Sequence, residues 1–501
     1  MTRALGHSHP SRGSRRGLGL AFATFALLFG GPAVAFATWP QFQGAETHVG
    51  LSDGPSAPLA VEWAETDIDV EGPDARGGLS APVVTEDGTV VTVAPSAVLG
   101  FSASDGAPMF TAERDFGPST QPAVAEGPDG PVVVFTEGYG DNPPPPATAT
   151  PTSSPSPSPA GDEEAFDAHV NAVGLDGEPE WDAPTQLDAL VLTPVTVDER
   201  AAYVGDVNGV VTALAVDTGE LLWTAQLGSQ VSGAIGVSDD RLFVPSLGAR
   251  SRAGAVSALD ASTGEELWRT TEDAIGGNPV SAAVVAEAGL LLLEAGSVVS
   301  LDPEDGTLNW HTEIVNPLRS PPFFFQGTAS PAPVSADGSV FVVDVTGRVY
   351  SLDAETGAIR WDHALNDPSP VSPPLLTPEH VLIAADSGSL SAIDRDSGHL
   401  VWEVDATDRG FLRGLADAGD VLVAVAGSDD AALVAFGPDP EPGALLDDPS
   451  PTTFDLARLL TGYGLGALAF GVVVVVALRP IHRRLGPALN GDGVAEPGED
   501  A

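Results

Sequence analysis

Short apolar runs separated by turn residues recur along the chain, and one complete set lies between residues 332 and 361. Two of its runs, Val340–Asp344 and Val349–Leu352, are rich in β-branched and aromatic residues, with a Gly-containing turn between them. Such runs indicate strands. Because side chains alternate along a strand, we expect Ile359 and Trp361 on one face of the following strand. With the preceding run at Ala332–Val334, the set predicts four antiparallel strands.

This set carries a motif of Asp, Gly four residues later and Trp four residues after that, and the motif is repeated. Complete copies are Asp260-Gly264-Trp268, Asp302-Gly306-Trp310, Asp353-Gly357-Trp361 and Asp394-Gly398-Trp402. Partial copies are Gly219 with Trp223, Gly177 with Trp181, and Gly106 with Phe110 in the place of Trp. The tryptophans recur at roughly 40 to 50 residues, the period of a propeller blade. The sequence therefore predicts an all-β propeller with four-stranded blades.

Eight blades account for residues 38–440. The first begins near Ala81, its motif has Ser102 in the place of Asp, and the third to seventh begin near Thr193, Ser232, Pro279, Ala332 and Pro373. The last apolar runs, up to Phe436, stop before any Trp. We expect Pro58 to Trp63, from the other end of the chain, to supply the missing strand and close the ring. Seven blades is the alternative count.

A Pro/Ser/Thr-rich insert near residues 142–160 interrupts the second blade. Such a composition does not pack a core, so we expect an extended, exposed loop. It suits a glycosylated spacer, an arm that binds a partner, or a tolerated insertion without a function of its own.

The repeated motif resembles that of the pyrroloquinoline-quinone (PQQ) like β-propeller family, whose Asp, Gly and Trp dock neighbouring blades. Trp39-Pro40-Gln41-Phe42-Gln43-Gly44 is also similar to the opening of many members. The resemblance covers roughly residues 39 to 440 and implies a structural role for the recurring Trp. The family includes an outer-membrane assembly scaffold, which binds partners through its loops and edges. It also includes quinoprotein dehydrogenases, which hold PQQ and calcium on the ring's axis beside an Asp that acts as base.

Composition narrows the possible partners. The chain has 70 acidic and 21 basic residues and a formal net charge of −49, which repels phosphate groups, so no nucleic-acid partner is expected. All the basic residues are arginine, which fits either a salt-adapted surface or the codon bias of a GC-rich genome. The chain has no Cys, which excludes disulfides, thiolate metal sites and a lipid-modified Cys.

The N-terminal end predicts export. Residues 1–37 have the pattern of a signal peptide, in which Arg12, Arg15 and Arg16 precede an apolar segment and Ala35-Phe36-Ala37 forms a cleavage site. Ser14-Arg15-Arg16 also resembles a twin-arginine signal, which would export a folded protein. An uncleaved anchor is the alternative.

The C-terminal end predicts attachment to the cell membrane. An acidic, Pro-rich linker at 441–455 precedes a predicted transmembrane helix at 456–478, in which Leu459 to Leu478 carry no charge. Arg479, Arg483 and Arg484 follow, which places the 479–501 tail in the cytoplasm and the propeller outside the cell.

No catalytic, cofactor-binding or metal-binding residue can be assigned from the sequence. The nine histidines show no metal-ligand spacing: His7, His9, His48, His169, His311, His363, His380, His399 and His482. No nucleophile elbow, phosphate-binding Gly loop or kinase signature is found. The run Phe323–Phe325 would form a contact patch if exposed, and core if packed between blades.

Three functions stay open. The preferred one is a membrane-anchored extracytoplasmic propeller that acts as a non-catalytic binding or scaffolding module, with protein partners at the outer face of the membrane and no cofactor. The second is a PQQ- and calcium-dependent quinoprotein dehydrogenase. Against it stand the absent cysteines, which in many alcohol-oxidising members cover the quinone, and the lack of a segment that matches the cofactor site. The third is a sensor ectodomain that signals through a partner.

Overall fold

The computed structural model describes residues 39–439 except for gaps at 67, 69–77, 116, 129, 139–167, 249–253, 295, 315–331, 345–346, 366–371, 386, 408, 411 and 428–430. The chain divides into Met1–Ala35, which lies outside the described residues, and Phe36–Ala501, which holds every element below. The predicted signal peptide, Pro/Ser/Thr insert, Phe323–Phe325 patch, linker, membrane helix and tail also lie outside them. Within the described residues, no helix has the length and hydropathy to span a bilayer.

The described residues form 32 strands and one short helix. The first half comprises β1 Leu59–Glu65, β2 Val83–Val84, β3 Thr89–Ala94, β4 Ala97–Ser102, β5 Pro108–Glu113, β6 Ala123–Gly127, β7 Gly130–Glu137, β8 Ala168–Gly174, β9 Thr185–Leu187, β10 Thr196–Val197, β11 Ala201–Gly205, β12 Val210–Ala215, β13 Leu221–Gln226, β14 Gly236–Ser238, β15 Arg241–Ser246, β16 Ala255–Asp260, β17 Glu266–Thr271 and the helix α1 Glu272–Ile275. The second half comprises β18 Val284–Ala286, β19 Gly289–Glu294, β20 Ser297–Leu301, β21 Leu308–Glu313, β22 Val334–Ala336, β23 Ser339–Val343, β24 Arg348–Asp353, β25 Ile359–Ala364, β26 Leu375–Leu376, β27 His380–Ala384, β28 Ser389–Asp394, β29 Leu400–Asp405, β30 Arg413–Asp417, β31 Leu422–Ala426 and β32 Ala432–Pro438.

These strands make eight four-stranded sheets, each a blade of a β-propeller. Blades one to seven, from β2–β5 to β26–β29, follow chain order, whereas blade eight has the order β1-β32-β31-β30. Its outermost strand therefore comes from the N-terminal end. β1 pairs antiparallel with β32, from Leu59 opposite Pro438 to Glu65 opposite Leu433. Both the count of eight blades and the closure of the ring by residues 58–63 are confirmed.

The core lies between the blades. Innermost strands of neighbouring blades contact one another, as β2 does with β6, β18 with β22, and β30 with β2. The second strands are buried on both faces; all six residues of β19 are buried. This burial explains why the sequence shows continuous apolar runs at these strands rather than alternation.

A β-bulge precedes the docking aromatic residue in seven blades. In blade six Leu352 pairs with Ile359 and Ser351 with Trp361, so Arg360 is an extra residue in the outermost strand. The same shift precedes Trp63, Phe110, Trp223, Trp268, Trp310 and Trp402. The bulge breaks the alternation from which one face was predicted for Ile359 and Trp361. Ile359 is 44% exposed, whereas Trp361 packs against blade seven, so that prediction is wrong.

The tryptophans dock on the following blade, and the structural role implied by the resemblance is confirmed. Six indole N–H groups donate to the carbonyl of the residue that follows the motif's Asp position. The pairs are Trp63 with Ala103 (2.9 Å), Trp181 with Val216 (2.7 Å), Trp223 with Ala261 (3.0 Å), Trp268 with Pro303 (3.1 Å), Trp310 with Ala354 (2.9 Å) and Trp361 with Arg395 (3.0 Å). The motif's Gly lies against the ring; at Gly264, where φ is +72°, a Cβ would come within 2.5 Å of Trp223. Gly is therefore required both by backbone conformation and by space.

Candidate functional site

Residues 39–54, here called the axial segment, bond to the innermost strand of every blade in order. The hydrogen bonds are those of Val84 N–H with the Trp39 carbonyl, Val124 N–H with the Pro40 carbonyl, Val197 N–H with Gln41 Oε1, Val237 N–H with the Glu46 carbonyl, Val285 N–H with the Thr47 carbonyl, Ser335 N–H with the Val49 carbonyl, Leu376 N–H with the Gly50 carbonyl, and Ser52 Oγ–H with Asp417 Oδ2, at 2.7 to 3.1 Å. The segment therefore occupies the axis of the ring.

The axial segment provides hydrogen-bond partners for the innermost strands of the propeller. An innermost strand has one edge without a strand neighbour, and a buried backbone N–H without a partner is costly. In blades one to seven the bonded residues are equivalent, since each is the second residue of its innermost strand, as Val84 is in β2 and Val285 in β18. The axial segment thus gives an acceptor to seven blades and donors to the eighth.

In two blades a polar side chain makes the bond in place of a backbone group: Gln41 of the axial segment in blade three, and Asp417 of β30 in blade eight. The Gln41 amide donates from Nε2 to the Val197 carbonyl at 3.0 Å and accepts the Val197 N–H at 2.9 Å, as a strand neighbour would. In blade eight the Asp417 carboxylate accepts from Ser52 Oγ at 2.7 Å and from the Gly54 N–H at 2.9 Å. Bonds to a carboxylate are among the stronger hydrogen bonds.

His48 is fully buried within the axial segment. Its Nδ1 lies 2.7 Å from the Phe42 carbonyl oxygen and its Nε2 lies 2.9 Å from the Ile235 carbonyl oxygen. A neutral imidazole has one N–H, so only the protonated ring donates to both carbonyls. Burial opposes that charge and outweighs the two carbonyl contacts, so the pKa of His48 is below its usual value.

A second group of polar residues lies between blades one and two. Ligand atoms of Asp115, Glu137 and His169 lie within 4.8 Å of one another. Asp115 follows β5, while Glu137 and His169 are opposite each other in β7 and β8. A carboxylate pair with an imidazole is a donor set that divalent cations accept.

The surroundings of this group work against a cation. Glu137 already accepts from Asn171 Nδ2 at 3.1 Å and from the Asp115 N–H at 3.0 Å. The buried Arg114 guanidinium donates to the Thr136 carbonyl at 2.7 Å, which puts a fixed positive charge next to Glu137. A like charge at this range opposes a bound cation.

A buried acid and a partly exposed imidazole lie close together in blade five. Glu294, at the end of β19, has its Oε2 3.8 Å from Nε2 of His311 in β21. Burial raises the pKa of Glu294 to about 7. This pair cannot be recognised from the sequence, because the two residues are 17 positions apart on different strands and meet only when blade five folds.

Comparison with known proteins identifies the family. Residues 166–321 and 294–447 match the family model described as outer membrane protein assembly factor BamB, and together they span 166–447, more than half of the 501 residues. The chain belongs to this BamB family of PQQ-like propellers. The BamB of Yersinia pestis is 25% identical over 225 residues, which are 40% of this chain and 54% of the Yersinia protein. The chain thus spans about half the length of such a relative.

Solved structures of other members of this fold overlay on the ring. BamB of Moraxella catarrhalis covers 76% of this chain and 98% of its own, with a TM-score of 0.52 and 15% identity. Quinohemoprotein alcohol dehydrogenase of Comamonas testosteroni covers 85% of this chain and 84% of its own, with a TM-score of 0.59 and 14% identity. At such identities the likeness shows the shared fold alone.

In this BamB-family propeller, the oxygens of Asp417 and Gln41 at the axis are already bonded within the protein. Calcium takes six to eight oxygen ligands, mostly from carboxylates and amides. Along the described axial segment, the Asp417 carboxylate accepts hydrogen bonds from Ser52, Gly54 and Gly419. The Gln41 amide is hydrogen-bonded to the backbone of Val197. These oxygens hold the fold together, so they do not form a calcium shell.

The sequence pointed to the axial segment only indirectly. The opening Trp39 to Gly44 was noticed as a likeness to other family members, without a structural role. Four of the first five residues from Trp39, including Gln41 and Phe42, are buried although they precede the first blade, and only the structure shows this burial.

Proposed function

We propose that this chain is a non-catalytic binding propeller, exported and held at the outer face of the cell membrane by its C-terminal helix, where it scaffolds protein partners. The observation that carries the proposal is the axial segment, which takes up the inner edge of all eight blades. A ring with a filled axis leaves its loops and outer surface for binding. The names of the BamB relatives, which are assembly factors of the outer membrane, support a protein-binding role.

The net charge of the chain suggests the surface charge of such a partner. With a net charge of −49 and no lysine, the surface attracts basic patches and repels acidic ones. Association driven in this way is fast at low salt and weakens as salt screens the charges. We therefore expect partners with a basic face and complexes that dissociate as salt is raised.

Capture of partners tests the binding role. The full chain, expressed in its own membranes with a C-terminal tag, is cross-linked, purified and analysed by mass spectrometry at about 0.05 M and about 0.5 M salt. Specific proteins recovered at low salt and depleted at high salt support the proposal. No specific protein at either salt contradicts it. A recovered signalling protein would favour the sensor function.

A titration distinguishes the scaffold function from the second candidate, a dehydrogenase. That candidate is favoured by the likeness of the fold to a quinohemoprotein alcohol dehydrogenase. PQQ is titrated calorimetrically into the full chain in the presence of calcium. No saturable heat is expected, because the axial carboxylate and amide are already bonded. Saturable tight binding would contradict the non-catalytic proposal and direct the work to alcohol substrates.

Protease access tests the placement at the membrane. In intact cells, protease added outside should digest the propeller and spare a tag on the 479–501 tail. Digestion of the tag with protection of the propeller would reverse the proposed orientation.

A further inference from the structure

Glu294 carries a buried oxygen that the fold leaves unused. The residue is 5% exposed, and its Oε1 has no hydrogen-bond partner among the described residues. Buried polar atoms in native proteins are nearly always bonded, and an exception calls for an ion, a water or a chemical role. The equivalent acid in blade three, Asp206, instead caps its turn by accepting the N–H groups of Asn208 and Val210. Glu294 therefore has no comparable structural task in its described surroundings.

His311 provides a second ligand and a route from solvent. Its Nε2 lies 3.8 Å from Glu294 Oε2, and its side chain is 31% exposed. An ion that reaches this imidazole from water needs to move only a few ångströms to meet the buried carboxylate. The position of His311 on β21 also brings it next to α1, the turn that joins blades four and five.

Two glycines keep the space beside the pair open. A Cβ at Gly277 would lie 3.0 Å from Glu294 Oε2, and a Cβ at Gly276 would lie 3.5 Å from His311 Nε2. A Cβ at Gly277 would crowd Glu294 Oε2, whereas one at Gly276 would only come into van der Waals contact with His311. Gly276 and Gly277 directly follow α1, so the open space lies where this turn meets blade five.

The donor set selects the class of ion. A carboxylate and an imidazole nitrogen suit zinc and its neighbours among the divalent transition metals, whereas calcium and magnesium require more oxygens. Ligand atoms about 2.0–2.2 Å from a tetrahedral zinc ion are about 3.4 Å apart, so the observed 3.8 Å needs only a small closure. We propose that Glu294 and His311 bind one divalent transition-metal ion of the zinc class beside α1, with water completing its shell.

Metal titration tests the site. The full chain, prepared without a polyhistidine tag and stripped with chelator, is titrated with Zn²⁺ by calorimetry and with Co²⁺ by visible absorption. We expect a saturable site whose affinity falls at least tenfold in Glu294→Gln and in His311→Ala. We also expect zinc to raise the melting temperature of the wild type, because a ligand that binds only the folded state stabilises it.

The matched control is Glu137→Gln, which alters the Asp115–Glu137–His169 group and should leave the zinc affinity unchanged. His311 is partly exposed, so His311→Ala is expected to fold even if Glu294→Gln does not, and circular dichroism verifies this. Equal zinc affinity in wild type and His311→Ala, loss of binding in Glu137→Gln, or no saturable binding would overturn the proposal.

Discussion

The outer seams of the ring and its axis are held by different kinds of contact. Outside, the same indole-to-carbonyl bond is repeated at six seams of the described chain. At the axis, one segment that occurs once bonds to all eight blades in turn. A defect in one outer contact weakens one seam, whereas a defect in the axial segment is shared by all eight blades. The repeated sequence motif therefore builds the blades and their outer contacts, and the axial segment, which occurs once, joins the blades at the centre.

The largest effect is expected where the two regions meet, at β1. Deletion of residues 58–64 removes the outermost strand of blade eight and the Trp63 bond to blade one. The ring should open and lose more than about 5 kcal/mol, the lower end of the total stability of a protein. Thermal unfolding measures this loss. A deletion of equal length in the insert, residues 147–153, is the control and should leave the melting temperature unchanged; an unchanged temperature for both deletions would refute the closure.

The next effect concerns the axis alone. Trp39→Ala removes a buried indole that packs with residues of blades one, seven and eight. Truncation of a buried aromatic residue to Ala costs about 3–5 kcal/mol, and we expect a loss in this range in urea unfolding. Leu51→Ala, in the same segment but 45% exposed, is the control, with an expected change within about 0.5 kcal/mol. Similar small losses for both would mean that the axial segment contributes little.

A glycine pair isolates the outer contact. Gly264→Ala, at φ +72°, would bring a Cβ within 2.5 Å of the Trp223 ring, and we expect a loss of about 2–4 kcal/mol from strain and overpacking. Gly338 has φ +69° but no atom within 4 Å of an added Cβ. Gly338→Ala should therefore cost only the backbone strain, about 1–2 kcal/mol. Equal losses, measured by urea unfolding, would show that the contact between Gly and Trp does not carry the seam.

The smallest effect is a pH dependence that the axis has and the outer contacts lack. Because burial lowers the pKa of His48 below 6.5, the folded chain binds fewer protons than the unfolded chain as the pH falls through 6.5. The free energy of unfolding should therefore decrease from 6.5 down to the folded-state pKa. His48→Gln cannot titrate and keeps an N–H donor, so it should lose this decrease. Urea unfolding from about pH 5 to about pH 8 measures the difference between the two proteins, and a difference that is constant over this range would contradict the prediction.

The repeated blades could be predicted from the sequence to a larger extent than the axial segment. The blades, their number and the closing strand were predictable, because Asp, Gly and Trp recur in register and the last runs end before a Trp. The bulge at Arg360 was not predictable. A residue is recognised as extra only when the pairing of its strand with the neighbouring strand is known. The course of the axial segment was not predictable either, since its bonds go to residues 45 to 365 positions away and the segment itself contains no repeat.

The candidate sites were predictable to a smaller extent. The docking role of the recurring tryptophans was predictable, because the motif that carries them resembles that of a known propeller family. The groups at Glu137 with His169 and at Glu294 with His311 escaped detection, since ligand spacing in sequence has no meaning when the residues meet across strands of one blade.

Hydrogen exchange at the innermost strands tests most directly whether the axial segment holds the ring. Exchange of the amides of Val124, Val237, Val285, Ser335 and Leu376 is followed by mass spectrometry in the wild type and in a variant that lacks residues 39–54. These amides donate to the segment, so their exchange should be slow in the wild type and fast in the variant, while the amides of the second strands stay protected. Equal exchange at the innermost strands in both proteins would contradict the central role of the axial segment.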